Sequence, residues 1–239
     1  MELRGYWHPF HQGLLEMAPE YLAAYLSYQN APAKAERLEG KVIELIYIAV
    51  DASVGHLYVD GIARHIDGAL QKGATREEVL EVIQLAMLTS HNSISMGVSI
   101  LIDELASDGY AEAPLAPDSQ AAKDAYIRAV GDWPTYGDRL LQLAPDFARA
   151  YLAYAEIPHR RGPLPPKIRE FIGIALQAFP GAPQPKRLRD HIRRALDFDA
   201  TPEEIVDVLA LSSSIAIHTC TVAVPLLAKA GGKGGADLE

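Results

Sequence analysis

The stretch GHLYVDGIARH, residues 55–65, carries side chains that could move a proton. An imidazole has a pKa near neutrality, which suits proton transfer to and from carbon. His65 and His56 are therefore candidate catalytic residues, with Tyr58 beside them, and Arg64 is a candidate for binding a substrate carboxylate. The alternative is a helix start that happens to contain two histidines.

A carboxylate precedes this stretch on an otherwise apolar segment. Glu44 lies within KVIELIYIAV, residues 41–50. A buried carboxylate is costly unless it is paired. A salt bridge to Lys41 or Arg64 would supply such a partner.

The chain contains the same pattern twice, at a constant offset of 126 residues. MAPEYLAAYLSYQNAP (17–32) aligns without a gap with LAPDFARAYLAYAEIP (143–158), and GATREEVLEVIQL (73–85) aligns with DATPEEIVDVLAL (199–211). Such self-similarity is typical of a tandem duplication. The sequence predicts a first repeat at 5–105, a linker at 106–130, a second repeat at 131–230 and a flexible tail at 231–239.

The two copies share some candidate residues and differ in others. Glu170 and His191 stand where the first copy has Glu44 and His65, so a role in the fold and a role in catalysis both remain open for them. His56 and Tyr58 have no counterparts in the second copy, which favours function in the first. A pocket in the first copy that holds Glu44, His56 and His65, beside a second copy filled by side chains, would distinguish an enzyme from a non-catalytic binding or assembly module.

One further histidine occurs only in the second copy. His218 lies within an apolar segment and aligns with Asn92 of the first copy. It is a candidate catalytic residue, and a core histidine with a satisfied hydrogen bond is the alternative.

Helical signals recur in both copies, and neither shows convincing strand alternation. Thr75 and Thr201 each precede a glutamate by three residues, which is the capping-box pattern, and predict long helices over 76–105 and 202–229. Pro185 aligns with Val59 and predicts a helix start near 59, which leaves His56 on a turn before it. The predicted fold class is all-α, with two tandem helical repeats.

These residues together resemble a known family. Glu44 followed by HLYVDGIARHIDGALQKGATREEVLEV, and Glu170 followed by RLRDHIRRALDFDATPEEIVDVL, are similar to the carboxymuconolactone decarboxylase family, which includes the alkylhydroperoxidase-type proteins. The resemblance implies an all-helical domain that assembles into trimers or hexamers. A chain with two such domains could trimerise or close on itself as a pseudo-dimer, so we expect a homo-oligomer, a trimer or a dimer.

The peroxidase branch of that family uses a CxxC pair. The chain has one cysteine, Cys220, whereas disulfide chemistry needs two thiols within reach of each other. Dithiol peroxidase activity is therefore excluded. What remains is the decarboxylase branch, which needs no cofactor.

The resemblance implies a lyase that acts on a small carboxylated or lactone-like substrate. Loss of carbon dioxide would leave a dienolate, His65 would act as acid and base, and Glu44 would orient it and raise its pKa. His56 and Tyr58 would donate to the developing oxyanion. An isomerase or lactone hydrolase would use the same groups, and a non-catalytic helical binding or assembly module is the remaining alternative.

Charge, hydropathy and the spacing of histidines and cysteine limit the classes of partner, metal site and cell compartment that the sequence favours. The formal net charge is −9, which argues against nucleic acid. The apolar segment 205–228 is interrupted by Asp207, His218 and Pro225, so it favours a core helix over a membrane span. No histidine pair has the H-x3-H spacing of a helical metal site, so no metal is predicted. A single cysteine and no apolar leader favour the cytoplasm.

Overall fold

A computed structural model describes residues 7–107, 113–181 and 183–230, and in these ranges the regular structure is helical throughout, which confirms the predicted all-α class. Two 3-10 turns lie at Thr89–His91 and Ile215–Ile217. The α-helices of the first half are α1 (Pro9–Met17), α2 (Pro19–Lys34), α3 (Gly40–Asp51), α4 (Val59–Gln71), α5 (Arg76–Leu88) and α6 (Asn92–Ser107). Those that follow are α7 (Pro117–Val130), α8 (Gly137–Leu143), α9 (Pro145–Ala155), α10 (Ile157–Arg161), α11 (Pro166–Gln177), α12 (Pro185–Asp197), α13 (Pro202–Ser214) and α14 (His218–Ala230).

The helix starts lie where the sequence predicts them. Thr75 accepts a hydrogen bond from the backbone of Glu78, whose side chain accepts one from the backbone of Thr75 in return, and Thr201 and Glu204 form the same capping box. Prolines at N1 open α2, α9 and α12, where their fixed φ suits a first helical turn. α4 begins at Val59, and His56 lies on the turn before it.

The two long helices predicted over 76–105 and 202–229 are each interrupted, at equivalent positions. A 3-10 turn separates α5 from α6, and another separates α13 from α14. Hydroxyl groups compete for the backbone there: Thr89 donates to the carbonyl of Ala86 at 2.6 Å, and Ser214 donates to that of Leu211 at 2.8 Å. Such local bonds loosen the helical ladder, so each long helix becomes two.

The two copies share one hydrophobic core. α3 packs against α11, α5 packs against α11, and α13 packs against α3. The side chains at the centre, contributed by both copies, are fully buried, among them Leu45, Ile46, Phe171, Ile172 and Val208. The chain therefore closes on itself through α3 and α11, as the pseudo-dimer interpretation expects.

The remaining helices cross between the copies. α1 packs against α14 and α2 against α13, while α6 lies against α8 in the second copy. The segment predicted as a linker, 106–130, includes α7, which packs against α9 and α10. The predicted tail, 231–239, lies outside the described residues. α4 packs against α3 and α5, and α12 packs against α11, so each histidine helix has its main helix contacts within its own copy.

Two helical stretches, Arg76–Ala106 and Pro202–Ala230, are long and apolar enough to span a membrane by length and composition alone. In the second stretch, 44% of the most apolar window is buried inside the protein, with Ile205, Val208 and Leu211 in the core. The first stretch has 12% of its window buried. Length and composition alone are weak evidence for a membrane span.

Candidate functional site

In the first copy, Glu44 and His65 form the predicted pair between α3 and α4. Nδ1 of His65 donates to Oε2 of Glu44 at 2.6 Å, and Lys72 donates to the other carboxylate oxygen. Burial by itself raises the pKa of Glu44, but His65 and Lys72 hold that pKa below its usual value. The ring of Tyr47 stacks on His65 with centroids 4.6 Å apart. The carboxylate stays ionised and fixes the orientation of the imidazole.

A second acid, Asp51, lies next to this pair at the end of α3. Its side chain is 1% exposed, and within the described part of the chain neither carboxylate oxygen has a hydrogen-bond partner. Three imidazoles, those of His56, His65 and His218, place a ring nitrogen 3.7–3.9 Å from a carboxylate oxygen of Asp51. Burial raises the pKa of Asp51 to about 7, although the positive charge of Arg64 acts to lower that pKa.

The turn between α3 and α4 positions His56 over this acid. The backbone N–H of Tyr58 returns to the carbonyl of Asp51 at 3.0 Å, and Leu57 adopts a φ of 48°, which is unusual for a residue with a side chain. A Cβ at Gly61 would lie 2.1 Å from Oδ2 of Asp51. Glycine at 61 is therefore required for α4 to approach the carboxylate.

His218 reaches the first-copy site from α14 of the second copy. Its Nδ1 lies 2.7 Å from Nε2 of His56, and its ring lies 4.0 Å from that of Tyr58, centroid to centroid. Burial lowers the pKa of His218 to about 4 and also lowers the pKa of His56. Both rings are thus neutral near pH 7, and the N–H of one imidazole donates to the ring nitrogen of the other.

The N-terminal helix covers the first-copy site. His8, Phe10 and His11 of α1 line its cavity, and Arg64 bonds to Nε2 of His8. The space that remains is about 30 Å³, enough for about one water molecule. The first-copy site is therefore closed to a substrate in this conformation.

In the second copy, Glu170 and His191 repeat the pair between α11 and α12. Nδ1 of His191 donates to Oε2 of Glu170 at 2.7 Å, and Nε of Arg194 lies 3.1 Å from the same oxygen. Burial alone raises the pKa of Glu170, yet His191 and Arg194 hold it below its usual value. Because Nδ1 is engaged, Nε2 is the ring nitrogen left to meet a substrate.

The larger of the two cavities lies around this second pair, where side chains do not fill the space. It measures about 510 Å³ and includes His191, Trp133 and Tyr151 in its wall. The reason is the residue facing the imidazole: Gly173 stands where the first copy has Tyr47, and a Cβ there would lie 2.3 Å from the ring of His191. The ring volume that fills the first site is absent from the second.

Two cations border the large cavity without a carboxylate partner in the described part of the chain. Lys186 donates to the hydroxyl of Thr135 and Arg187 to that of Tyr136, both at 3.2 Å. Neutral hydroxyls leave these charges uncompensated, so the cavity favours an anion. His159 also lines it, and burial lowers its pKa to about 4.

The structure thus brings the candidates of the first copy together at one site, to which the second copy adds His218. The first-copy residues at this site are Glu44, His56, Tyr58, Arg64 and His65. Sequence reasoning missed Asp51 and Arg187. Like His56, both residues occur in only one copy: Asp51 aligns with Gln177, and Arg187 aligns with Gly61. A comparison of every aligned pair of positions could have found them.

Comparisons with known proteins agree with this fold. Residues 19–93 and 145–223 match the model of the carboxymuconolactone decarboxylase family. The chain is 35% identical to a protein of Burkholderia xenovorans LB400 that is provisionally assigned as a gamma-carboxymuconolactone decarboxylase subunit, with a TM-score of 0.88 to its crystal structure. The similarity covers 96% of this chain and 93% of that one. No curated protein is significantly similar to the chain.

Proposed function

Because the chain belongs to the carboxymuconolactone decarboxylase family, we propose that it is a cofactor-independent lyase that decarboxylates a small carboxylated lactone in the second-copy cavity. The observation that carries the proposal is the cavity of about 510 Å³ that brings His191, Arg187 and Arg194 to one space. Its volume lies within the range of small-molecule sites, about 300–1,000 Å³.

His191 is the acid and base of the proposed reaction. As the bond between the substrate carbon and its carboxylate breaks, the electron pair moves into a dienolate and carbon dioxide leaves. Nε2 of the protonated imidazole then delivers its proton to carbon. Glu170, which is 2.7 Å from Nδ1, stabilises the imidazolium, and solvent returns the proton after product release.

The closed first-copy pair has the same chemistry without the space. Glu44 and His65 hold the same geometry as Glu170 and His191, yet only about 30 Å³ is open beside them. A role of His65, His56 or Tyr58 in catalysis therefore requires α1 to move away. The second copy requires no such motion.

Arg187 is proposed to bind a carboxylate of the substrate that is not lost. Replacing Arg187 with Gln removes a charge-assisted hydrogen bond, which contributes about 1.5–3 kcal/mol. The expected result is a fall in kcat/KM of about 10- to 100-fold, mostly through a higher KM. Steady-state kinetics measure it, with Arg189→Gln on the exposed face of the same helix as the matched control. Equal effects of the two substitutions would contradict the assignment.

The proposal as a whole is tested by carbon dioxide release. The purified chain is mixed with gamma-carboxymuconolactone and related carboxylated lactones, and released carbon dioxide and product mass are followed. Turnover with loss of carbon dioxide supports the lyase. Turnover at unchanged mass identifies an isomerase, and a gain of one water identifies a lactone hydrolase. Binding without turnover of any of these compounds identifies a non-catalytic binding module.

We also propose that the protein forms a homo-oligomer through the exposed side of α5 and α6. Large apolar side chains lie exposed along these helices: Leu80, Ile83, Met87, Met96, Ile100 and Leu101. Several large apolar side chains exposed on two consecutive helices favour an interface, and the related Burkholderia protein is described as a subunit. Light scattering during size-exclusion chromatography is expected to give a dimer or trimer, and Met96→Lys to shift it toward the monomer. A monomeric wild type would contradict the proposal.

A further inference from the structure

Three potential metal ligands converge between the two copies, away from the proposed substrate cavity. Oδ1 of Asp51 lies 3.8 Å from Nε2 of His56 and 3.7 Å from Nδ1 of His218. The two imidazole nitrogens lie 2.7 Å apart. One carboxylate oxygen and two imidazole nitrogens are ligands that suit Zn²⁺ and its first-row neighbours.

The carboxylate is the reason to expect a cation here. Asp51 is 1% exposed, and among the described residues no group donates a hydrogen bond to either of its carboxylate oxygens. Buried polar groups almost always have partners, and a buried charge is costly without one. The neighbouring histidines approach to 3.7–3.9 Å, which is too long for a hydrogen bond. A cation among these atoms would supply the missing partner.

We propose that Asp51, His56 and His218 bind one divalent transition-metal ion, for which Zn²⁺ is the best candidate. Ligands at about 2.0–2.1 Å from a tetrahedral ion lie roughly 3.3 Å from each other. The three observed separations, 2.7, 3.7 and 3.8 Å, bracket that value. On binding, the ring whose N–H lies between the two imidazoles carries that proton on its other nitrogen instead, so that both facing nitrogens offer a lone pair to the ion. The rings then move apart by a few tenths of an ångström.

The surroundings supply the rest of such a site. The small cavity of about 30 Å³ has room for a water molecule as the fourth ligand. Nε2 of His65 lies 3.9 Å from Oδ2 of Asp51, and Glu44 holds His65 from its far side. The local H-x3-H rule could not reveal this site because His56 and His218 are 162 residues apart.

At each of the three ligand positions, the equivalent position of the other copy shows that the fold does not need the ligand residue. The positions equivalent to Asp51, His56 and His218 hold Gln177, Ala182 and Asn92. Gly61, which makes room for the carboxylate, is matched by Arg187. Each of the three ligand residues thus occurs in only one of the two copies, Asp51 and His56 in the first and His218 in the second. The glutamate–histidine pair, by contrast, occurs in both copies. The asymmetry assigns these residues to a ligand and not to the scaffold.

The test is metal binding by the intact chain after it has been stripped with a chelator. Titration with ZnCl₂ in a calorimeter is expected to show one high-affinity ion per chain and to raise the thermal unfolding midpoint. His218→Asn, which installs the residue of the other copy, is expected to weaken binding at least about a hundredfold, because loss of outer contacts alone costs 10- to 100-fold. His191→Asn is the matched control and should bind Zn²⁺ as the wild type does.

His56→Ala keeps the test decisive if His218→Asn fails to fold. His56 lies on a surface turn, and alanine stands at its place in the other copy. Absence of a stoichiometric ion in the wild type, or unchanged affinity in both ligand variants, would overturn the proposal. Because binding is measured without turnover, its failure is distinguishable from failure of the proposed lyase activity.

Discussion

Replacing His191 with Gln is expected to lower kcat by about 10²- to 10⁴-fold, the usual contribution of a positioned general acid or base. Glutamine can still accept or donate a hydrogen bond at this place, but it cannot carry a proton to carbon. Glu170 keeps Arg194 as a partner at 3.1 Å, so the helix pair should remain folded. Carbon dioxide release measures kcat, and circular dichroism checks that the helix content is unchanged.

The duplication supplies a matched control for this experiment. His65→Gln makes the same chemical change beside the same glutamate, in the copy where only about 30 Å³ is open. We expect it to leave kcat within about twofold of the wild type. If the two sites worked equally and independently, each variant would retain about half of the activity. Loss of activity only in His65→Gln would move the active site to the first copy.

Replacing Glu81 with Gln is expected to lower the free energy of unfolding by about 3–5 kcal/mol, the usual cost of breaking a buried ion pair from one side. The side chain of Glu81 is 1% exposed and joins the two copies: it accepts from Nε of Arg169 and from the backbone N–H of Leu164, both at 2.7 Å. A Cβ at Gly162 would lie 2.0 Å from its carboxyl carbon. Glutamine fits this space but leaves the guanidinium without a counter-charge.

The second copy again contains the control. Asp207 occupies the position equivalent to Glu81 and pairs with Arg37 through two hydrogen bonds of 2.7 Å. The Arg37 side chain is 42% exposed, so water can solvate it when the partner is lost. Asp207→Asn should therefore destabilise less than Glu81→Gln. Urea unfolding at one fixed protein concentration measures both, and equal losses would contradict the argument.

Much of the fold was predictable because its signals are local and occur twice. The capping residues Thr75 and Thr201, and the prolines at 19, 145 and 185, mark helix starts that the structure confirms. The breaks near Thr89 and Ser214 were not predicted. They depend on whether a hydroxyl bonds to its own helix backbone, and hydrophobic periodicity carries no information about that choice.

The glutamate–histidine pairs were also accessible from the sequence. Glu44 and His65 lie on helices that are consecutive in the chain, as do Glu170 and His191, and both spacings equal 21 residues. A carboxylate on an apolar helix needs a partner, and a nearby histidine helix offers one. Each pair could therefore be identified from the sequence, because its two residues lie on consecutive helices.

By itself the sequence determined the duplication, the helical class, the two acid–histidine pairs and the exclusion of dithiol chemistry. Only the tertiary structure decided which pair has room for a substrate, and that His218 joins Asp51 and His56 across 162 residues of chain. Cavity volume and long-range contacts depend on the packing of all neighbouring elements together. One exchange, Tyr47 for Gly173, and one covering helix, α1, distinguish the closed first site from the open second one.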